Sequence, residues 1–356
     1  MDPSQFTTDA LVQSVFRDDY GLEASKLESL YSKSKRHQWN AESDVDWSEF
    51  APDARILDPK RDILSRLSCV QELPEQIRER LYREAALFTL SQVLHGEQAA
   101  LMTCGQLVNA VPDVEGKFAA AVQVMDEARH VEVFARYLTC QGSKYPIDPD
   151  LQAIVQQLLA EPHWEAKCVG MQVILESVAL GFFRLGVEMS HEPVLRSFIG
   201  RVHEDESRHV AYGVLTLEER IPQLDEATRN KLEDFAYDAV ARIAGRAGRP
   251  TFATQIRALV NAGVDAGTFF PKLLKEFSTP EEIDFSGLAD PMAETVIPNL
   301  MRVGLVPERH LRGYRAQGFL IDLETRTLED VHGFHPTARA TRAELVAEGL
   351  SVERPC

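Results

Sequence analysis

The sequence predicts an all-α protein built around an antiparallel four-helix bundle, and three observations predict it. A six-residue block recurs 79 positions apart, as Asp126-Glu127-Ala128-Arg129-His130-Val131 and Asp205-Glu206-Ser207-Arg208-His209-Val210. Each copy has a glutamate 30 residues upstream, Glu97 and Glu176. Turn formers stand near the midpoint of each interval, at Val111-Pro112-Asp113 and at Ser190-His191-Glu192-Pro193. With a constant rise per residue, about 13 residues out and 13 back cancel. Two helical hairpins therefore return their glutamates to a common level.

Residues 1–75 are mixed and polar, with Trp39 and Trp47 around an acidic loop, and are expected to form an N-terminal wrapping arm. Residues 76–222 form the expected four-helix core. In its first helix, 84–110, Leu87, Leu90, Leu94, Leu101 and Val108 recur at helical spacing, and Glu97 shares their face. The next helices are expected at 114–140, at 150–189 with an interruption near Pro162, and at 193–220, separated by breaks rich in Gly, Pro and Ser. Residues 223–320 are expected to add helices at 225–246, 251–276 and 292–316, packed on the core. The tail 321–356 is polar, with Gly333 and two prolines, and is expected to be partly ordered or to cap a neighbour.

A chain of 356 residues that is 44% hydrophobic can bury a large core. Its net charge of −17, with no compensating Lys/Arg cluster, excludes a nucleic-acid footprint. Five scattered cysteines without a Cys-x-x-Cys pair read as reduced thiols. The N-terminus has neither a basic region nor an apolar run, and no uncharged apolar stretch of about 18 residues occurs. The expectation is a cytoplasmic protein with no membrane segment.

The repeat carries chemistry. Glu and His at i and i+3 project from one helix face, so Glu127 with His130 and Glu206 with His209 each offer a carboxylate and an imidazole. The glutamates also lie on apolar stripes: Leu94-Glu97-Leu101, Val124-Glu127-Val131, Val173-Glu176-Leu180 and Val202-Glu206-His209. A buried unpaired carboxylate is costly, and four carboxylates nearly balance two divalent cations. Glu97, Glu127, His130, Glu176, Glu206 and His209 are thus the candidate metal ligands. Hard oxygen donors with one imidazole per ion favour two irons, with manganese as the rival. Two further Glu-x-x-His pairs, Glu188/His191 and Glu329/His332, fail the test, because Leu158 and Asn299 stand 30 residues upstream of them.

These residues resemble the ferritin-like di-iron carboxylate superfamily. The Asp-Glu-x-Arg-His block is similar to that of bacterial multicomponent monooxygenase hydroxylases and of aryl-amine N-oxygenases, over roughly residues 80–220. The resemblance implies that Glu97, Glu127 and His130 bind one iron and Glu176, Glu206 and His209 the other, with Glu127 and Glu206 bridging. Asp126 and Asp205 would each accept a hydrogen bond from the histidine of the opposite half-site, a surface helix charge being the alternative. Arg129 and Arg208 either pair with those carboxylates or lie on a solvated face. Aryl-amine N-oxygenases carry a third histidine, for which His203 is the candidate, although it departs by one residue from the expected spacing. The implied activity is O₂-dependent oxidation of a small organic substrate by hydroxylation, N-oxygenation or desaturation, with electrons from a ferredoxin or flavin reductase, in a homodimer. Phe134, Leu101, Leu180 and Phe183, one turn from the ligands, are candidate pocket walls, with core packing as the alternative for each.

Two other classes fit less well. Ribonucleotide reductase small subunits usually carry a tyrosine four residues after the first histidine, where this chain has Phe134, and one near the C-terminus, where residues 321–356 have none. Ferritins store iron with a related centre, but their subunits are about half this length, which leaves the C-terminal helices without a role.

Overall fold

The turn at residues 111–113 folds two long helices against each other. In the computed structural model, which describes residues 5–18, 20, 25–246, 252–278, 290–319 and 321, helix α1 (Lys26–Arg36) precedes α2 (Glu75–Ala110) and α3 (Val114–Gln141). After α4 (Pro149–Ala160), helix α5 (Trp164–Met189) and α6 (Pro193–Arg220) make the second hairpin. The two hairpins pack as a ferritin-like antiparallel four-helix bundle, with α1 laid across α3 and α6. Among the described residues there is no β-strand; Leu57 and Ser190 form an isolated antiparallel bridge.

Local chemistry fixes the ends. Asp113 caps α3 by accepting from the Gly116 amide, and Gly142 closes it in the left-handed conformation at φ 71°. Pro193 opens α6, and the Glu192 carboxylate accepts from the Leu195 amide at 2.8 Å. The same Glu192 accepts from the Ala51 amide, while Asp58 N–H donates to Met189 O and His191 N–H to Ile56 O. Those bonds pin residues 51–58 to the turn between α5 and α6.

The helix expected at 150–189 breaks at residues 161–163, where Pro162 stands, and contains a π-helical stretch, Val169–Leu175, directly before Glu176. Such stretches are frequent at functional sites. By length and composition α5 could cross a membrane, but 61% of its apolar window is buried inside the bundle, as suits a core helix. At Gly213 on α6, an added Cβ would stand 2.3 Å from Gln172 Cβ in the π stretch. Substituting Gly213→Ala should therefore push the helices apart and cost about 1–3 kcal/mol, read as a lower midpoint of thermal unfolding. An unchanged midpoint would contradict this close approach.

Two later expectations are corrected. The single helix expected at 251–276 is two, α8 (Phe252–Ala262) and α9 (Ala266–Ser278), because Gly263 turns the chain at φ 83°. The helix expected at 292–316 is a π turn, Met292–Val296, running into α10 (Ile297–Arg302), then α11 (Glu308–Ala316) after Gly304 at φ 81° and Pro307. Helix α7 (Glu226–Arg246) lies at its expected place. The tail beyond Ile321, with Glu329 and His332, lies outside the described residues.

Candidate metal centre

Glu97 falls between two apolar layers. One contains Leu90, Leu94, Phe134, Phe183, Phe198 and Val202, the other Leu107, Ala120, Val173, Val210 and Val214. Between these layers the bundle holds polar side chains only because they face one another. Glu97, Glu127, His130, Glu176, Glu206 and His209 are all at most 5% exposed.

They form two overlapping groups, Glu97-Glu127-His130-Glu206 and Glu127-Glu176-Glu206-His209, each with its donor atoms within 4.8 Å of one another. Glu127 and Glu206 belong to both. His130 Nδ1 stands 3.1 Å from Glu206 Oε1 and 3.2 Å from Glu97 Oε2; His209 Nδ1 stands 3.0 Å from Glu127 Oε1. Yet Glu127 Oε2, both Glu206 carboxylate oxygens and His209 Nδ1 have no hydrogen-bond partner. Their lone pairs converge without being satisfied by each other, the arrangement that cations would complete.

The outer ring nitrogens face the opposite hairpin. His130 Nε2 lies 3.1 Å from Asp205 Oδ2, and His209 Nε2 lies 3.3 Å from Asp126 Oδ2. A neutral imidazole that donates its Nε2–H to an aspartate keeps a lone pair on Nδ1, toward the cluster. Arg129 donates to Asp126 at 2.7 Å and to Asp205 at 3.0 Å, and Arg208 pairs with Asp205. Both guanidinium groups are buried, so neither arginine lies on a solvated face.

Without a cation, the cluster redistributes protons. Burial raises the Glu97 and Glu176 carboxyls well above their ordinary value, and the neighbouring Glu206 charge adds to the effect. Burial opposes ionisation of Glu206 most strongly, but the charge of His209 together with the nearby proton donors Glu176 and His130 outweighs it and holds that carboxyl down at about 2. Glu127 is likewise lowered, burial being overcome first by His209. Both histidines are raised despite burial, His130 chiefly by its bond to Asp205 and His209 chiefly by the Glu127 charge. Positive charge thus collects where four carboxylates require it.

Other expected residues are placed differently. His203 is partly exposed on α6, belongs to neither group, and has its protonation disfavoured by burial and by Arg184. Phe134 and Phe183 stack at 5.8 Å between ring centroids inside a closed apolar layer, and Leu180 packs against the other layer. Leu101 is only partly buried. His191 is exposed near Asp58.

Three site residues were not foreseen. The Gln123 carboxamide donates to Glu127 at 3.0 Å and to Glu176 at 2.9 Å. It sits one turn before Glu127, where helical spacing could have revealed it. Trp39 Nε1–H donates to Asp205 Oδ2 at 2.8 Å, and the Gln38 amide donates to Asp126 Oδ1 at 2.7 Å. Their remote position in the chain gave no local signal.

The family model described as P-aminobenzoate N-oxygenase AurF matches residues 23–255, more than half the chain. No curated protein matches. Among solved structures, an R2-like ligand-binding oxidase with aerobically reconstituted Mn/Fe cofactor is 18% identical, with 74% of this chain and 94% of that chain covered and a TM-score of 0.40. A variant of an R2-like ligand-binding oxidase with anaerobically reconstituted Mn/Fe cofactor is 17% identical, with 74% and 95% covered and a TM-score of 0.46.

Proposed function

The chain belongs to the p-aminobenzoate N-oxygenase AurF family, and from that premise we propose that it is an oxidoreductase that uses two metal ions and O₂ to oxidise a small organic substrate. Iron is the proposed metal, manganese its rival, and oxygenation at nitrogen is the reaction the family's description favours. The observation that carries this reading is the pair of overlapping donor groups sharing Glu127 and Glu206. Four carboxylates and two neutral imidazoles offset the charge of two divalent ions, and the convergent unpartnered oxygens fit such ions.

In this reading Glu97 and His130 would hold one ion and Glu176 and His209 the other, and Glu127 and Glu206, which belong to both donor groups, would serve both. When bound, such a pair supplies the redox equivalents for oxidising an organic substrate with O₂, with electrons renewed by an external donor of the ferredoxin or flavin-reductase kind. The protein's part is positioning. Asp205 and Asp126 fix the imidazole rings, Arg129 holds both aspartates in place and Arg208 holds Asp205, and Gln123 orients Glu127 and Glu176. The two apolar layers keep bulk water away from the reacting ions.

Cation binding must expel the protons held on His130, His209, Glu97 and Glu176, all of which bind protons more tightly than usual in the metal-free cluster. Affinity should therefore fall as pH is lowered. Adding ferrous ion anaerobically to weakly buffered protein at neutral pH should acidify the solution, and uptake without proton release would contradict the ligand set.

A further inference from the structure

Where α1 crosses α3 and α6, a narrow cleft beside His209 is bounded by Ser34, Ala119, Gln123, Arg208 and Tyr212, among others. Three of these side chains carry a buried polar atom with no hydrogen-bond partner among the described residues: Gln123 Oε1, Arg208 Nε and the Tyr212 hydroxyl. Gln123 and Tyr212 are 2% exposed and Arg208 6%, so bulk solvent does not satisfy them. Leaving such groups unpaired costs stability, and three of them around one space point to a ligand that joins them. We propose that the cleft holds one water molecule bonded to all three, and that this water fixes the carboxamide that orients Glu127 and Glu176.

Size and chemistry both select water. The cleft has about 10 Å³, the room of a single water and too little for an organic ring. Gln123 commits its amide N–H groups to Glu127 at 3.0 Å and Glu176 at 2.9 Å, which settles the orientation of the carboxamide and leaves Oε1 as an acceptor. The Arg208 Nε–H can only donate, and the Tyr212 hydroxyl can do either. A water that donates to Gln123, accepts from Arg208 and bonds Tyr212 satisfies each of them. An anion would face Gln123 Oε1 and the Asp126 carboxylate, and a cation would face the Arg208 guanidinium. A neutral molecule that both donates and accepts meets neither obstacle.

Helical spacing builds the site. Arg208 and Tyr212 stand four residues apart on one face of α6, and Gln123 stands four before Glu127 on α3. On α1 the Ser34 hydroxyl donates to Leu30 O at 3.0 Å, so this helix closes the cleft without supplying another free donor. The water thus ties α6 to α3, and Tyr212 acts through it as a positioning residue for the carboxylates that Gln123 holds.

Diffraction from crystals of the metal-free full-length protein, at a resolution that shows ordered water, should give one peak within hydrogen-bonding distance of Gln123 Oε1, Arg208 Nε and the Tyr212 hydroxyl. Tyr212→Phe keeps the ring and removes the hydroxyl. Loss of a bond to water lowers the midpoint of thermal unfolding in this variant, whereas removal of a hydroxyl that bonds nothing would raise it. Anaerobic titration with ferrous ion should show a roughly tenfold weaker affinity in Tyr212→Phe, as for other groups that orient metal ligands. Only this arm rests on the dinuclear reading. A parent protein that takes up no ferrous ion would count against that reading, while the crystal and the midpoint still test the water. An empty cleft, a peak too strong for water, a raised midpoint, or ferrous affinity undiminished from that of a binding parent would overturn the proposal.

Discussion

Replacing Glu206 with alanine should strip metal from both halves of the centre, whereas replacing Glu97 should leave the other half able to bind. The difference follows from membership. Glu206 and Glu127 each belong to both donor groups, while Glu97 and Glu176 each belong to one. Removing a partner that merely orients a ligand costs about 10–100-fold in metal affinity, and removing a shared ligand must cost more. Glu206→Ala and Glu127→Ala should thus approach zero ions per chain, with oxidation of any substrate lost in parallel. Glu97→Ala and Glu176→Ala should retain up to one. Metal analysis after gel filtration distinguishes these outcomes, and equal retention across the four variants would contradict the sharing.

The largest effect on stability is expected at Arg129. Its side chain is 3% exposed, and its guanidinium bonds both Asp126 and Asp205 and lies 4.7 Å from the Trp39 ring centre. Arg129→Met leaves two buried aspartates without their shared cation, a loss of about 3–5 kcal/mol. An exposed pair offers the control: Arg55 bonds Glu79 at 2.7 Å, but the two side chains are 45% and 36% exposed. Arg55→Met should cost less than about 1 kcal/mol. Urea unfolding of the metal-free proteins measures both, and similar small losses would show that Arg129 does not hold the network.

Legibility in the sequence tracked distance along the chain. Glu97, Glu127, Glu176 and Glu206 were visible because a hairpin with a mid-interval turn equalises height, and the structure places them within one pair of groups. Gln123 was accessible to the same reasoning but lacks a charge to draw attention. Trp39 and Gln38 were not accessible, since their partners Asp205 and Asp126 lie far away in sequence and only tertiary packing joins them. The breaks at Gly263 and Gly304 were missed because an isolated glycine is tolerated within an apolar helical pattern, and only the positive φ reveals the turn. The π stretch before Glu176 has no sequence signature, because its apolar residues also suit an α-helix.

The most direct measurement is a diffraction experiment on crystals of the full chain soaked with ferrous ion under anaerobic conditions, with anomalous scattering recorded at the iron edge. The account predicts two iron peaks per chain, one bordered by Glu97 and His130, the other by Glu176 and His209, with Glu127 and Glu206 between them. A single peak, or none among these six side chains, would contradict it.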